Sequence, residues 1–210
     1  MTFNSLGGTI REKRHPDRIR PGSDSARPFG IANAATALAA LEEVSQKLPV
    51  DMGAIRRGLT EAELLGRFQV LPGRPTVILD VGHNPHAART LATNLRALPA
   101  AGRTLAVFAM LKDKDIRAVT KEMCGGIDDW YVAGLTGPRG ADAAQIASAV
   151  RDTGTSAAIH SFETPAQAFE AALGKAGQDD KILVFGSFYT VAEIMRVRKA
   201  TEIHGKNNDG

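Results

Sequence analysis

The sequence contains a single cysteine, Cys124, among its 210 residues. One cysteine excludes an internal disulfide, and chains without disulfides are typical of a reducing compartment. No stretch approaches the roughly 20 consecutive apolar residues that a membrane-spanning helix requires. Residues Met1 to Ile10 also lack the apolar block of a secretory signal peptide. We therefore expect a cytoplasmic protein without a membrane partner.

The excess of positive charge is confined to one end of the chain. Of the formal net charge of +3, residues 1–30 hold the whole excess, with six basic and three acidic side chains. A short basic segment without interleaved aromatic residues is usually just solvated. We therefore expect no nucleic-acid partner. Because residues 1–29 show neither helical nor strand periodicity, we expect them to be irregular or disordered.

The most informative stretch of the sequence runs from Val77 to Arg89. Its first residues are apolar and lead into Asp80, which predicts a buried strand that ends in a carboxylate. Asn84 suits the N-cap of a following helix, and Pro85 suits the first helical position, where its missing N–H costs nothing. This stretch therefore predicts a strand, a polar turn and a helix in succession.

The same alternation of strand and helix continues along the chain. The predicted strands are 76–81, 104–109, 129–133, 156–160 and 181–186, and the predicted helices are 85–97, 114–123, 141–151, 165–175 and 189–199. This order predicts an α/β fold, a mostly parallel sheet with helices on both faces, preceded by a short helical segment. We divide the chain into an irregular segment at 1–29, a helical segment and hinge at 30–66, an α/β domain at 67–200 and a tail at 201–210.

Several polar residues are expected at the carboxyl end of the first parallel strand, where open α/β sheets bind their ligands. They are Asp80, His83, Asn84 and His86. A carboxylate at the end of an apolar strand needs a hydrogen-bonding partner or a solvated edge, so Asp80 is the strongest candidate among them. His83 and His86 have the spacing of metal ligands, but no third ligand accompanies them, and we expect no metal site.

Two other polar residues each allow two interpretations, and the sequence alone does not choose between them. Arg67, in the hinge before the first strand, is either an ordinary surface residue or a phosphate-binding residue. Ser187, after the last strand, belongs either to an anion-binding turn at a helix N-terminus or to an ordinary loop. We interpret Asp113 and Asp142 as helix caps.

Five segments, taken in order, resemble the signatures of folylpolyglutamate synthase/dihydrofolate synthase, an enzyme family of the Mur ligase superfamily. They are Asn33–Ala37, Gly66–Phe68, Asp80–Pro85, Met110–Asp115 and Gly186–Tyr189. The resemblance extends from about residue 30 to residue 199. It implies a Rossmann-like C-terminal domain of a Mur ligase at 67–200, with a helical remnant of the central ATPase domain at 30–66.

The resemblance implies a ligase that uses ATP to join glutamate to a folate or dihydropteroate carboxylate through an acyl phosphate. Such chemistry depends on positioning, charge neutralisation and exclusion of water. By the resemblance, Asn33 would contact the adenine, Arg67 the phosphates and Asp80 the ribose side of ATP. The catalytic candidate is His83, which would lie near the acyl phosphate or the incoming amine. Ser187 would lie near glutamate.

The resemblance is incomplete on the amino-terminal side. The family's ATPase domain carries a Gly-x-x-x-x-Gly-Lys-Ser/Thr loop that cradles phosphate and binds magnesium. The two Gly-Lys pairs of this sequence, Gly174–Lys175 and Gly205–Lys206, are not followed by Ser or Thr. We therefore expect the ATPase domain and its Mg²⁺ ligands to be missing, the chain to be inactive alone, and its uncovered helical segment to promote self-association. The alternatives are a stand-alone nucleotide-binding or interaction module of the same fold, and another Mur-type amino-acid ligase.

Overall fold

The computed structural model describes residues 28–61, 64–71, 73–99 and 102–206. Residues 1–27, most of the segment that we expect to be irregular, lie outside these ranges. The helices are α1 (Pro28–Val44), α2 (Met52–Glu61), α3 (Pro85–Arg96), α4 (Ile116–Met123), α5 (Ala143–Arg151), α6 (Pro165–Lys175) and α7 (Phe188–Lys206), with a short 3₁₀ turn at Cys124–Gly126. The strands are β1 (Gln69–Leu71), β2 (Thr76–Asp80), β3 (Thr104–Phe108), β4 (Asp129–Ala133), β5 (Ala158–Phe162) and β6 (Lys181–Phe185).

The six strands form one sheet in the order β1-β2-β6-β3-β4-β5. Strand β1 is antiparallel to β2, and all other neighbours are parallel. Helices flank this sheet, with α3, α4 and α5 packed side by side and α6 against α7. The predicted α/β fold with a mostly parallel sheet is therefore confirmed.

The boundaries differ from the prediction in several places, and helices α4 and α5 each begin two residues later than expected. Strand β1 was not predicted, because three residues are too few to show a periodic pattern. Strand β5 lies two residues later than expected, at Ala158–Phe162, and helix α7 continues to Lys206. Exposed and partly buried residues do not alternate regularly along β5. The alternating apolar pattern that predicts a strand is therefore weak in this segment.

The core lies at the centre of the sheet. Strands β3, β4 and β6 are almost completely buried, as expected of parallel strands covered on both faces. The Phe108 and Phe185 rings stack with centroids 4.5 Å apart, and Trp130 meets Phe108 edge-on at 5.8 Å. These three rings anchor the middle of the sheet and hold the carboxyl ends of its strands in place.

The helix caps confirm two predictions and correct one. The Asn84 side chain accepts a hydrogen bond from the Ala87 amide and caps α3, and Asp142 forms a capping box with Gln145 at the start of α5. Asp113 is not a cap, however. Helix α4 is capped by Asp115, whose carboxylate accepts from the Ala118 amide. The two aspartates are only two residues apart, and the sequence pattern does not distinguish them.

Helices α1 and α2 and the segments that follow them leave large apolar side chains exposed. Leu48, Met52, Leu64 and Leu65 are each about two-thirds exposed or more, at 65%, 74%, 66% and 67%. Helix α2 is strongly amphipathic in sequence, with Ile55 and Leu59 on one face. An apolar face of this kind is usually covered by another surface.

Candidate functional site

The site begins at the carboxyl end of β2. Strands β2 and β6 are parallel, and their register places Asp80 beside Phe185. The residues that follow each strand therefore emerge next to each other at the same edge of the sheet. One Asp80 carboxylate oxygen accepts a hydrogen bond from the Gly82 amide at 2.7 Å, and the other accepts from the Phe68 amide at 2.8 Å. These two bonds satisfy the partner requirement that we expect for this carboxylate.

Burial raises the pKa of the Asp80 carboxyl group above its ordinary value, because the charged form loses solvation there. The amides of Gly82 and Phe68 oppose this effect, and so does the positive charge of nearby Arg67. Asp80 is thus an acceptor held in a fixed orientation next to a cation.

Two hydrogen bonds join the segment Gly66–Phe68 to the end of β2. The Gly66 carbonyl accepts from the Val81 amide at 2.7 Å, and the Phe68 amide donates to Asp80. Gly66 has a φ of +68°, and a Cβ there would lie 2.8 Å from a methyl group of Val81, so only glycine fits. Phe68, a buried residue, also has a positive φ of 45°. This backbone places Arg67, between the two bonds, near Asp80.

His83 follows Asp80 in the loop between β2 and α3. Its Nδ1 lies 3.0 Å from the Val81 carbonyl oxygen, which orients the ring. The imidazole is half-buried, and its centroid lies 6.3 Å from that of Phe188 at the start of α7. The guanidinium carbon of Arg67 lies over the same Phe188 ring, 6.0 Å from its centroid. The structure thus brings Arg67 and His83 together at one aromatic ring, and Arg67 also lies near Asp80.

Ser187 lies beside this group, but its side chain is turned into the protein. Its hydroxyl accepts from the Thr190 amide at 3.0 Å and lies 2.7 Å from the Thr190 hydroxyl, which itself donates to the Ala109 carbonyl. Since the Thr190 proton is used in this way, the Ser187 hydroxyl donates to Thr190. Ser187, which is 3% exposed, therefore caps α7.

Within the described ranges, two of the predicted residues are exposed, and no hydrogen bond or ion pair joins their side chains to Arg67, Asp80 or His83. Asn33 is on the exposed surface of α1, and the hydrogen bonds and ion pairs among the described residues do not connect it to Asp80. His86 is exposed on the first turn of α3, where its carbonyl accepts from the Thr90 hydroxyl. Across the described ranges, no three His, Cys, Asp or Glu side chains form a group that could hold a metal ion.

Sequence reasoning missed Phe188 and the partner of Asp113. Phe188 follows Phe185 by three residues, as His83 follows Asp80, so the strand register could have indicated that they meet. Asp113 is paired with Arg139, whose guanidinium nitrogen lies 3.0 Å away, and with Lys114. These two cations lower the pKa of Asp113 to about 2. Arg139 belongs to the loop after β4, which joins the polar edge of the sheet.

A groove of about 640 Å³ lies elsewhere, between α5 and the ends of β4 and β5. It is an open groove lined by alanines of α5, and none of Arg67, Asp80 and His83 lies in it. We place the candidate site at the β2–β6 edge, because convergent polar groups define a site better than concavity alone.

Within the described part of the chain, no helix is long and apolar enough to cross a membrane.

Residues 66–188, which include this edge of the sheet, match the glutamate ligase domain of Mur ligases. The chain belongs to the Mur ligase family through this domain. Among named relatives, the dihydrofolate synthase/folylpolyglutamate synthase of Escherichia coli is 47% identical over 174 residues, which are 83% of this chain and 39% of that protein. The resemblance drawn from the five sequence segments is therefore confirmed.

Solved structures of the same enzyme family are also similar to this chain. E. coli FolC in complex with DHPP and ADP matches with a TM-score of 0.75 and 47% identity, over 81% of this chain and 39% of that chain. A bifunctional folylpolyglutamate synthase/dihydrofolate synthase with Mn, AMPPNP and L-glutamate bound matches with a TM-score of 0.73 and 44% identity, over 80% and 39% of the two chains. The chain spans about two-fifths of the length of these relatives.

Proposed function

We propose that this chain supplies the glutamate ligase part of an ATP-dependent enzyme that joins glutamate to a folate or dihydropteroate carboxylate. The observation that carries the proposal is the convergence of Arg67, Asp80 and His83 at the carboxyl edge of the sheet. These residues come from two of the five segments that resemble the family. The relatives solved with ADP, or with AMPPNP and L-glutamate, support nucleotide and glutamate as ligands.

The residues present fit a nucleotide. Arg67 offers an exposed guanidinium for the phosphates, and its planar fork of donors suits phosphate oxygens. Asp80 would accept from a ribose hydroxyl, since each carboxylate oxygen has a lone pair beyond the one that its backbone amide uses. Asn33 would contact the adenine from α1.

The folate or dihydropteroate carboxylate would take the γ-phosphoryl group of ATP and release ADP, and the glutamate amine would then displace phosphate from the acyl phosphate to form the amide. We propose that His83 lies beside this reacting centre, where an imidazole can hold or transfer a proton. The Ser187 side chain is occupied by capping, so a glutamate carboxylate would approach the free amides in the first turn of α7 rather than the hydroxyl. The described residues do not form a magnesium site, and the Mg²⁺ ligands of the ligase would lie in its ATPase domain.

We expect this chain alone to be inactive, because its sequence has no Gly-x-x-x-x-Gly-Lys-Ser/Thr loop. The test is a chimaera in which residues 66–206 replace the corresponding part of the E. coli relative. Supplied with MgATP, glutamate and dihydropteroate or tetrahydrofolate, the chimaera should form the glutamyl product, whereas the chain alone should not. Product formation by the chain alone would contradict the expected inactivity.

Two substitutions in the chimaera test the site. Arg67→Ala and Asp80→Ala should each lower kcat/KM about tenfold or more, the usual effect of losing a charge-assisted hydrogen bond. The matched control is Arg89→Ala, which removes an exposed arginine whose partner is Glu122 on α4. A folded chimaera that is inactive, while the intact E. coli enzyme is active, would overturn the proposal and favour a stand-alone module.

A further inference from the structure

Phe188 is a large apolar side chain that remains 58% exposed at the start of α7. It is absent from the hydrophobic core, which ends at Phe185 on this strand. Its position follows from the sheet: β2 and β6 are in register at Asp80 and Phe185, and three residues beyond each strand stand His83 and Phe188. The two rings lie near each other in a tilted arrangement, with centroids 6.3 Å apart and an interplanar angle of 52°.

Arg67 has a fixed backbone and an exposed side chain that lies near Asp80. Hydrogen bonds to Val81 and Asp80 hold the residues on either side of it. Its guanidinium, however, makes no ion pair with any described residue, and it lies over the face of the Phe188 ring at 6.0 Å. An unconstrained arginine loses considerable rotamer entropy when it binds a ligand, and contact with an aromatic face reduces that loss.

We propose that Phe188 is a positioning residue whose ring orients the Arg67 guanidinium and the His83 imidazole toward the nucleotide. This inference rests on the proposed function, because it takes a nucleotide phosphate as the ligand of Arg67. Phe188 touches neither substrate nor reacting atoms in this account. It links two side chains that arise on different loops, and it does so from the first turn of a third element.

The test uses the full chain, with NMR as a direct readout of side-chain position. Because Arg67 lies over the ring face, we expect its side-chain protons to be shifted upfield in the wild type. The Phe188→Leu variant should move them downfield and change the His83 ring resonances, whereas Phe188→Tyr, which keeps the ring, should restore both. The control is Tyr189→Leu, which removes an adjacent aromatic side chain of similar exposure, at 63%, and leaves in place the Phe188 ring over which Arg67 lies.

A titration with MgATP into the millimolar range, followed through the amide shifts of Gly66 to Val81, gives the functional readout. The Phe188→Leu variant should weaken MgATP binding about two- to fivefold, the effect of a surface cation–π contact, and Phe188→Tyr should bind as the wild type does. Unchanged Arg67 and His83 resonances in Phe188→Leu would overturn the inference, as would altered resonances with unchanged affinity. Wild-type protein whose amides do not respond to MgATP, although the Arg67 protons are upfield, would instead count against nucleotide binding at this site.

Discussion

Asp80 and Asp180 show how the same side chain behaves differently at the two edges of one sheet. Asp80 ends β2 at the carboxyl edge, where burial raises its pKa. Asp180 directly precedes β6 at the amino edge, where hydrogen bonds from the amides of Arg103 and Gly177 and from the Arg103 guanidinium lower its pKa. Asp180 therefore stabilises the fold as a charged group. The charged form of Asp80, in contrast, is destabilised by burial, as is common for carboxylates at functional sites.

At this scale we predict an acid-dependent loss of stability that depends on Asp180. Because its folded-state pKa lies below the ordinary value of 3.8, its contribution is present at neutral pH and is lost as the pH falls below that value. Asp180→Asn should lower the free energy of unfolding by about 1–3 kcal/mol at pH 7 and by progressively less in acid. Urea denaturation at several pH values measures this.

The control for that measurement is Asp179→Asn. Asp179 is 72% exposed and forms only a 3.6 Å ion pair with Arg74, so its replacement should change stability little at any pH. An equal effect of the two substitutions, or a loss for Asp180→Asn that does not decrease in acid, would show that the Asp180 contacts do not act through its charge.

The connection between β6 and α7 requires a glycine at position 186. Gly186 has a φ of +110°, and a Cβ there would lie 2.5 Å from the Ala109 carbonyl oxygen and 2.7 Å from the Phe108 ring. This close approach lets Ser187 cap α7 while the Thr190 hydroxyl donates to the Ala109 carbonyl at the end of β3. The sequence indicates a turn here, but only the packed structure shows why glycine is required.

We predict that Gly186→Ala is much more destabilising than Gly137→Ala. Both glycines have positive φ, at +110° and +97°, but a Cβ on Gly137 would meet nothing within 4 Å. Gly137→Ala should therefore cost only the backbone strain, about 1–2 kcal/mol. Gly186→Ala should add an overpacking cost of about 1–3 kcal/mol. Thermal unfolding of the two variants gives the comparison, and equal losses would contradict the steric argument.

At the scale of the whole molecule, the uneven distribution of exposed apolar surface is the main feature. Most large apolar side chains of the sheet and its helices are buried, whereas Leu48 and Met52, near the junction of α1 and α2, are 65% and 74% exposed. The relatives are longer than this chain, and we expect another part of the ligase to cover this surface in them. The same surface would promote contacts between copies of this chain.

We predict concentration-dependent self-association through α1 and α2. Light scattering should show an apparent mass that rises with protein concentration, and the double substitution of Leu48→Ser with Met52→Ser should reduce the rise. The control is Leu173→Ser, which replaces an exposed leucine on α6, at 46% exposure, and should leave the mass unchanged. A clean monomer of the unsubstituted chain at high concentration would contradict the prediction.

The order of strands and helices, the polar turn after Asp80 and the caps at Asn84 and Asp142 were determined by the sequence itself. Each depends on local chemistry: apolar periodicity, the missing N–H of proline and the short side chains that accept from nearby amides. The family resemblance was readable for the same reason, because its signatures are contiguous segments.

Only the tertiary structure decided which of these segments meet. The position of β6 between β2 and β3 brings Phe188 to His83 and Arg67, although more than 100 residues separate Phe188 from either of them. It also turned the Ser187 hydroxyl inward and assigned the α4 cap to Asp115 instead of Asp113. Strand order and side-chain direction depend on long-range packing, which local residue patterns do not encode.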